Sequence, residues 1–500
     1  RTVNLENLVI RGASGTNGGG VRVSGRPGKL QVNLRNVEVR NNTRTGTGGN
    51  GAGMRIRTSA DSSGSFGPMV TVDNASQMFN NVAGGDGGAI HASCTHSVGN
   101  NTLLRMGTTL VLQNQAINGG GLSVSGCKNV FLYNGGEVFL FIPTGGFVSN
   151  SATSNGGGLH LSNGAEVTLR ATAVLGFGDP ASAALLVSNS ASGGGAATVT
   201  GNGSRLVVED AYVFGNSSTG SGGAFRIISG GDLMVRRSAS GKTCAPVTAI
   251  SGVTRYPPCS VVRDNSTNGN GGAFSMGSSS RLDVIRTFVT GNTADNFGPA
   301  LYAANLSIAS PPGPQVRIEG SLIADNIGNI TVDIGSDSDV EIWHSTLAGN
   351  GNGALFEISA FADRTARLAI YTSILKHNPA VALIRNVGSQ PVTVTGDCVI
   401  ANRPRADVPF TTALHYSNTD PAFVNESAGD YRLATGSPAI DYCDGFHAPL
   451  YPDINGNPRG VAWTGPALTP PPGAVAGGLF DLGAYETTWE GIFADRFRAP

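Results

Sequence analysis

Residues 315–326 read QVRIEGSLIADN. Val316 and Ile318 alternate with Arg317 and Glu319, a glycine breaks the run, and Leu322 and Ile323 open a second one. Alternation of period two marks a β-strand with one buried face. The same shape recurs as RLDVIRTFVTGN (281–292), DVEIWHSTLAGN (339–350) and RLAIYTSILKHN (367–378). Working outward, its closing phrase, apolar-x-x-Asn, returns as FLYN (131–134), FVSN (147–150), LVSN (186–189) and VFGN (213–216). A second phrase, a glycine pair with an apolar residue after it, reads GGGV (18–21), GGAI (87–90), GGGL (119–122), GGGL (156–159), GGAF (222–225) and GGAF (271–274). A fixed phrase every few tens of residues means stacked supersecondary units, a solenoid. Taking Asn265, Asn292, Asn326, Asn350, Asn378 and Asn402 as a ruler, each turn has room for two or three short strands. The expected fold is all-β: a single right-handed parallel β-helix over residues 1–402, a C-terminal capping module over 403–490, and a short tail, 491–500, read as a sorting signal.

Both phrases have a structural reading. Asn tolerates the left-handed backbone of a sharp corner, and stacked amides can hydrogen-bond in a ladder. Glycine supplies positive φ at the next corner. The expectation is that the repeated residues shape corners and that function lies between them. Insertions interrupt the array at 59–68, 170–182 and 240–258.

Composition narrows the class. Glycine is 73 of 500 residues and charged residues are 13%, a poor mix for helices. A net charge of −1 gives no basic excess for nucleic acid and no polybasic membrane stretch. No apolar run approaches the roughly 18 residues of a membrane span. Residue 1 already lies in a strand-like run, VNLENLVIRG, so the array is expected to begin upstream, with any export leader lost. Six cysteines fall into local pairs, Cys94/Cys127, Cys244/Cys259 and Cys398/Cys443. That count suggests three disulfides and an oxidising compartment; zinc is the alternative, but no C-x-x-C or H-x-x-x-H spacing supports it.

The glycine and F-x-x-N phrases, over residues 16–402, resemble the passenger repeats of polymorphic outer-membrane proteins and related autotransporter-like β-helices. No segment here reads as the membrane β-barrel that ends those autotransporters. Residues 418–486 carry DPAF (420–423), DYRL (430–433), GSPAID (436–441), DINGNPRG (453–460) and DLGAYE (481–486). These blocks resemble the terminal module of bacterial choice-of-anchor β-helix proteins. The resemblance implies a bacterial protein, exported to the cell surface or beyond, and no defined activity.

Two outward columns emerge from aligning turns. One holds Arg22, Arg55, His91, Ser123, His160, Ala197, Arg226, Ser275 and Tyr302, a strip without acids that suits an anionic polymer such as an acidic polysaccharide. The other holds Asp283, Arg317 and Glu341, with Glu319, Trp343 and Tyr371 alongside and His344 nearby. Sugars stack on exposed aromatic rings, and carboxylates with a His or Arg could serve a glycosidase or a lyase. Asp453, Asn455 and Asn457 in DINGN have the D-x-N-x-N spacing of a calcium loop but lack its distal Glu; the acidic DIGSDSDVE (333–341) is a second calcium candidate. No other cofactor is expected. NTD (418–420) resembles the Asn-x-Asp of polygalacturonases, whose other motifs are absent, and reads as structural. The favoured function is a non-catalytic scaffold for adhesion or for binding a carbohydrate or cell-envelope polymer. The alternatives are a polysaccharide lyase or glycoside hydrolase working on the face around 283–371, and a subunit that assembles end to end.

Overall fold

A computed structural model describes residues 1–487 apart from 17–18, 26–29, 47, 59–68, 73–75, 95–102, 134–136, 140–141, 144, 172–182, 239–247, 251–252, 256–258, 306–311, 362–363, 391, 413–414, 445–450, 462–473 and 476–478. The insertions at 59–68 and most of those at 170–182 and 240–258, and the tail 491–500, therefore fall outside the described residues, as does Cys244.

The chain winds as a parallel β-helix. Strands one turn apart pair in parallel and in register: Gln315 lies opposite Asp339, which lies opposite Arg367. Three parallel sheets result. A long one is built of strands such as Arg281–Ile285, Gln315–Glu319 and Asp339–Trp343. A second runs from Val21–Gly25 to Ile384–Asn386, and a third, of very short strands, from Ser14–Gly15 to Thr293–Ala294. The alternating residues of all three fill one continuous core, in which Val316, Ile318, Val340, Ile342, Leu368 and Ile370 are buried.

The corners divide the labour differently from the sequence expectation. From Asn150 to Asn350 the phrase asparagines do not take the left-handed conformation; the residue before each does, namely Ser149, Ser188, Gly215, Asp264, Gly291, Asp325 and Gly349. The asparagines turn inward instead. From Asn42 through Asn81, Asn114, Asn150, Asn189, Asn216, Asn265, Asn292 and Asn326 to Asn350, each Nδ2 donates to the Oδ1 of the next at 2.9–3.0 Å. The ladder satisfies polar backbone at a corner that water does not reach. Asn378 is not in it: that side chain is exposed, because His377 occupies the buried place. The asparagine of FLYN lies outside the described residues; the strand before it, Val130–Tyr133, pairs with Glu166–Arg170.

In the glycine phrases from residue 87 onward the first glycine of each pair has positive φ and the second does not, for example 65° at Gly119 and 74° at Gly222. The second is required by room: a Cβ on Gly120 would sit 2.3 Å from the Ser151 carbonyl oxygen. A second ladder, of hydroxyls, marks the bend inside the long sheet, where Thr287 N, Ser321 N and Ser345 N donate to the Oγ of Ser321, Ser345 and Ser373 at 3.1 Å each.

The C-terminal segment does two things. Val408 and Phe410 enter the core at the end of the solenoid, Phe410 against Gly396. From Tyr416 the chain then turns back along the outside of the long sheet. Ile454, Ala484 and Tyr485 pack on Leu322, Ala324 and Ala348, and Tyr431 Oη donates to Asp325 Oδ1 at 2.6 Å. Disulfides join Cys94 to Cys127 and Cys398 to Cys443; Cys259 is also disulfide-bonded. Strands Thr248–Ile250 and Val253–Arg255 pair with each other, and the latter pairs with Glu137–Phe139. Among the described residues no helix is long and apolar enough to cross a membrane.

Candidate functional site

The second candidate column exists as a column. Asp283, Arg317, Glu341 and Ala369 lie in register on successive turns, and so do Ile285, Glu319, Trp343 and Tyr371. Strand alternation places them all on the outer face. Their exposure differs sharply, however. Asp283 and Glu319 are only 4% and 2% exposed. Arg281 Nε reaches Asp283 Oδ2 at 3.1 Å, and Arg317 Nη2 reaches Glu319 Oε2 at 2.7 Å. Glu341 shares Arg367 with Asp339, both contacts at 2.8 Å, and accepts from Trp343 Nε1 at 3.4 Å. Burial pulls the Arg367 guanidinium down, but the bonds to Glu341 and Asp339 outweigh it and hold its pKa above the ordinary value.

Trp343 and Tyr371 are half-buried, with ring centroids 4.2 Å apart and planes tilted by 32°. Each ring thus turns one face to the other and does not leave both faces to a ligand. His344, expected beside them, is not: it occupies the bend with φ 45°, is buried, and faces Phe480 of the returning segment. Another histidine completes the face. Asp397 follows Tyr371 in register, and His415 Nδ1 lies 2.9 Å from Asp397 Oδ1. Asp397 also accepts from Cys398 N and His415 N, so the carboxylate and imidazole are held together. Asp397 was legible as the register successor of Tyr371; His415 comes from the cap and had no periodic signal.

The first column is also in register, with one change. Arg22, Arg55, His91, Ser123 and His160 align, then Thr198 rather than Ala197, then Arg226, Ser275 and Tyr302. It continues to Asp333, Glu357 and Arg385, so the strip without acids ends in two of them. Nor is it an open strip. Arg22 is exposed, but His91, Ser123, His160, Thr198 and Ser275 are buried against the inside corner between the second and third sheets. Arg226 Nη1 donates to Asn155 Oδ1, Asn155 Nδ2 to Asn118 Oδ1, and Asn118 Nδ2 to Asp86 Oδ1, at 2.9–3.0 Å. Burial pushes the His91 imidazole down to about 4 despite Asp86, and His160 down as well. Nδ1 of each is buried with no hydrogen-bond partner. At the far end Tyr302 is half-buried, and burial, then Asp333, raise its phenol. Asp333 makes no hydrogen bond or ion pair among the described residues; burial and the adjacent Glu357 push it up to about 7. Glu357 is held by Arg385, whose Nε donates to Oε2 at 2.6 Å.

At the DINGN candidate the aspartate has partners within the chain. Asp453 is fully buried, and its oxygens accept from Asn457 N at 2.6 Å, Asn457 Nδ2 at 2.9 Å and Glu486 N at 3.0 Å. That donor set closes a turn rather than converging on a cation with Asn455. Asp397, Cys398 and His415 come within metal-ligand reach of one another, but the Cys398 sulfur is in a disulfide.

No known protein family, curated protein or solved structure matches the chain.

Proposed function

We propose that this protein is a non-catalytic β-helix scaffold, exported by a bacterium, that binds a carbohydrate or cell-envelope polymer along the face carrying Trp343 and Tyr371. The single observation that carries this reading is the pairing of its acids. Asp283, Glu319, Asp339 and Glu341 are each held by an arginine, so the face offers ligand-positioning polar groups rather than a carboxylate poised to transfer a proton. The half-exposed Trp343–Tyr371 pair beside Arg367 and the Asp397–His415 pair supplies the aromatic and polar contacts that sugars use. The Cys94–Cys127 and Cys398–Cys443 disulfides and the resemblance to surface β-helices support export. A glycan array, run with reducing-sugar and unsaturated-uronate assays, tests it. The expected result is retention of one glycan class, weakened about tenfold by Trp343→Ala, with no turnover. Turnover that Glu341→Gln abolishes overturns it.

A second reading, a glycoside hydrolase, is favoured by Asp333 and Glu357 rather than by the aromatic face. They are neighbours on successive turns; Glu357 is held by Arg385, while Asp333, with no ion pair among the described residues, is raised by burial and by Glu357, as suits a general acid. Turnover lost in Asp333→Asn and kept in Glu341→Gln would select this reading.

A further inference from the structure

The seam between the β-helix and the returning C-terminal segment buries two guanidinium groups whose direct hydrogen-bond partners carry no charge. Arg237 and Arg286 stand at the bend of the long sheet on successive turns: Arg237 N donates to the Ile285 carbonyl at 3.2 Å and Arg286 N to the Glu319 carbonyl at 2.8 Å. Their backbones are thus about one strand spacing, roughly 4.8 Å, apart. The residues are 4% and 1% exposed. Arg286 Nε donates to the carbonyl oxygen of Asp453 at 2.8 Å and Nη1 to that of Ser238 at 3.1 Å, and Arg237 Nη1 donates to the carbonyl oxygen of Ile454. Every one of these acceptors is a neutral backbone oxygen. Nη2 of each guanidinium is buried and has no hydrogen-bond partner among the described residues.

The nearby acids are engaged elsewhere. The Asp453 carboxylate closes its own turn with Asn457 and accepts from Glu486 N. Asp210 accepts from Ser238 N at 2.9 Å. Glu319 is bound by Arg317. Arg459 adds a third buried cation; it donates to the Gly483 carbonyl at 3.0 Å and lies 3.7 Å from Glu486. Burial pulls Arg286 down to about 10, with Arg237 beside it as the next cause, and at neutral pH it still carries its charge. Guanidinium does not discharge as a buried lysine can, and an unpartnered buried charge is among the costliest features a fold can hold.

We infer that Arg237 and Arg286 together bind one small inorganic oxyanion, of sulfate or phosphate size, at the seam between the β-helix and residues 452–457. Two guanidinium forks on neighbouring rungs, each with its Nη2 unused among the described residues, carry N–H donors of the kind that grip a tetrahedral oxyanion. The anion would latch the returning segment, since Asp453 and Ile454, which supply the carbonyl partners, belong to it.

The test uses the full chain and inorganic sulfate. Protein exchanged into sulfate- and phosphate-free buffer is titrated with sulfate at constant ionic strength, and the anions released on denaturation are measured by ion chromatography. The expected result is either about one equivalent of sulfate or phosphate released, or saturable one-to-one uptake, with Tm rising with the logarithm of sulfate concentration. General salting-out also raises Tm but does not saturate. Arg237→Gln and Arg286→Gln should each weaken sulfate binding at least tenfold. The inference is overturned if the wild type neither releases an anion nor takes one up saturably, or if both variants respond to sulfate as the wild type does. If the variants do not fold, release and titration of the wild-type chain decide alone.

Discussion

Asn216 shows what one repeated residue does. Its Nδ2 donates to the Leu186 carbonyl and to Asn265 Oδ1, both at 2.9 Å, while its Oδ1 accepts from the backbone and side chain of Asn189. All of this is buried. Asn216→Ala therefore strands donors and acceptors without water, at about 3 kcal/mol. Asn216→Asp keeps the shape but has no N–H to give and buries a charge, so it should cost more than Ala. Urea denaturation of the two variants checks the order; equal midpoints would show that hydrogen bonding at the ladder is not what matters. His91 makes a second residue-scale case. Its imidazole is neutral in the fold down to about pH 4 but titrates near 6.5 when unfolded. Because the folded pKa is depressed, the unfolded chain binds the extra proton first, so stability falls as pH drops from about 6.5 to about 4 and levels off below. The loss is on the order of 3 kcal/mol. His91→Phe should flatten that part of the profile relative to wild type, measured as chemical-denaturation midpoints from pH 7.5 to 3.5.

At the scale of the turn, the glycine phrase separates two demands that look alike in sequence. Gly156 has φ 65°, whereas Gly157 is confined by the Gly195 and Ser190 carbonyl oxygens, each 2.5 Å from where a Cβ would sit. Gly158 occupies the place that Ala196 and Ala224 fill on later turns. Gly157→Ala should thus lower stability by about 2–3 kcal/mol, in the range of overpacked sites, and Gly158→Ala by less, since its Cβ meets one backbone oxygen, that of Ala196 at 2.7 Å, at a place where later turns hold alanine. Thermal melts of the pair check this. The same comparison says what was legible beforehand. The buried asparagine and the glycine pair recur as letters, so the parallel β-helix could be read from them. The left-handed corner could not, because Ser, Gly and Asp all occupy it. The hydroxyl ladder through Ser321, Ser345 and Ser373 sits at a fixed distance before each asparagine, a signal hidden among ordinary serines. Both candidate columns were nearly right in register, since register follows alternation. Their burial was not, because what covers Asp283, Glu319 or His160 comes from neighbouring arginines and another sheet, contacts that no local period encodes.

Over the whole molecule, the question is what stops a stack of strands from ending in an open edge. The last long strand, Val392–Ala401, pairs inward with Ala366–Leu375 along its full length, but outward, among the described residues, only with Tyr416–Ser417 and through a single bridge from Thr395 to Thr412. Val408 and Phe410 close the apolar end instead, and the ring of Phe410 lies so near Gly396 that a Cβ there would be 2.7 Å from it. The Cys398–Cys443 disulfide then ties that turn to the segment returning along the side. Stability in a solenoid is close to a sum over neighbouring turns, so damage at one end should remain at that end. Phe410→Ser removes the plug and leaves the disulfide and the side packing in place. Its expected effect is faster amide exchange over residues 366–401 by at least tenfold, with the turns around Asn150 to Asn265 unchanged, and a concentration-dependent rise in light scattering as the freed edge pairs with other molecules. Uniform loss of protection along the chain would mean that the solenoid unfolds as a single unit, and that the cap acts on the whole stack rather than on its last turns.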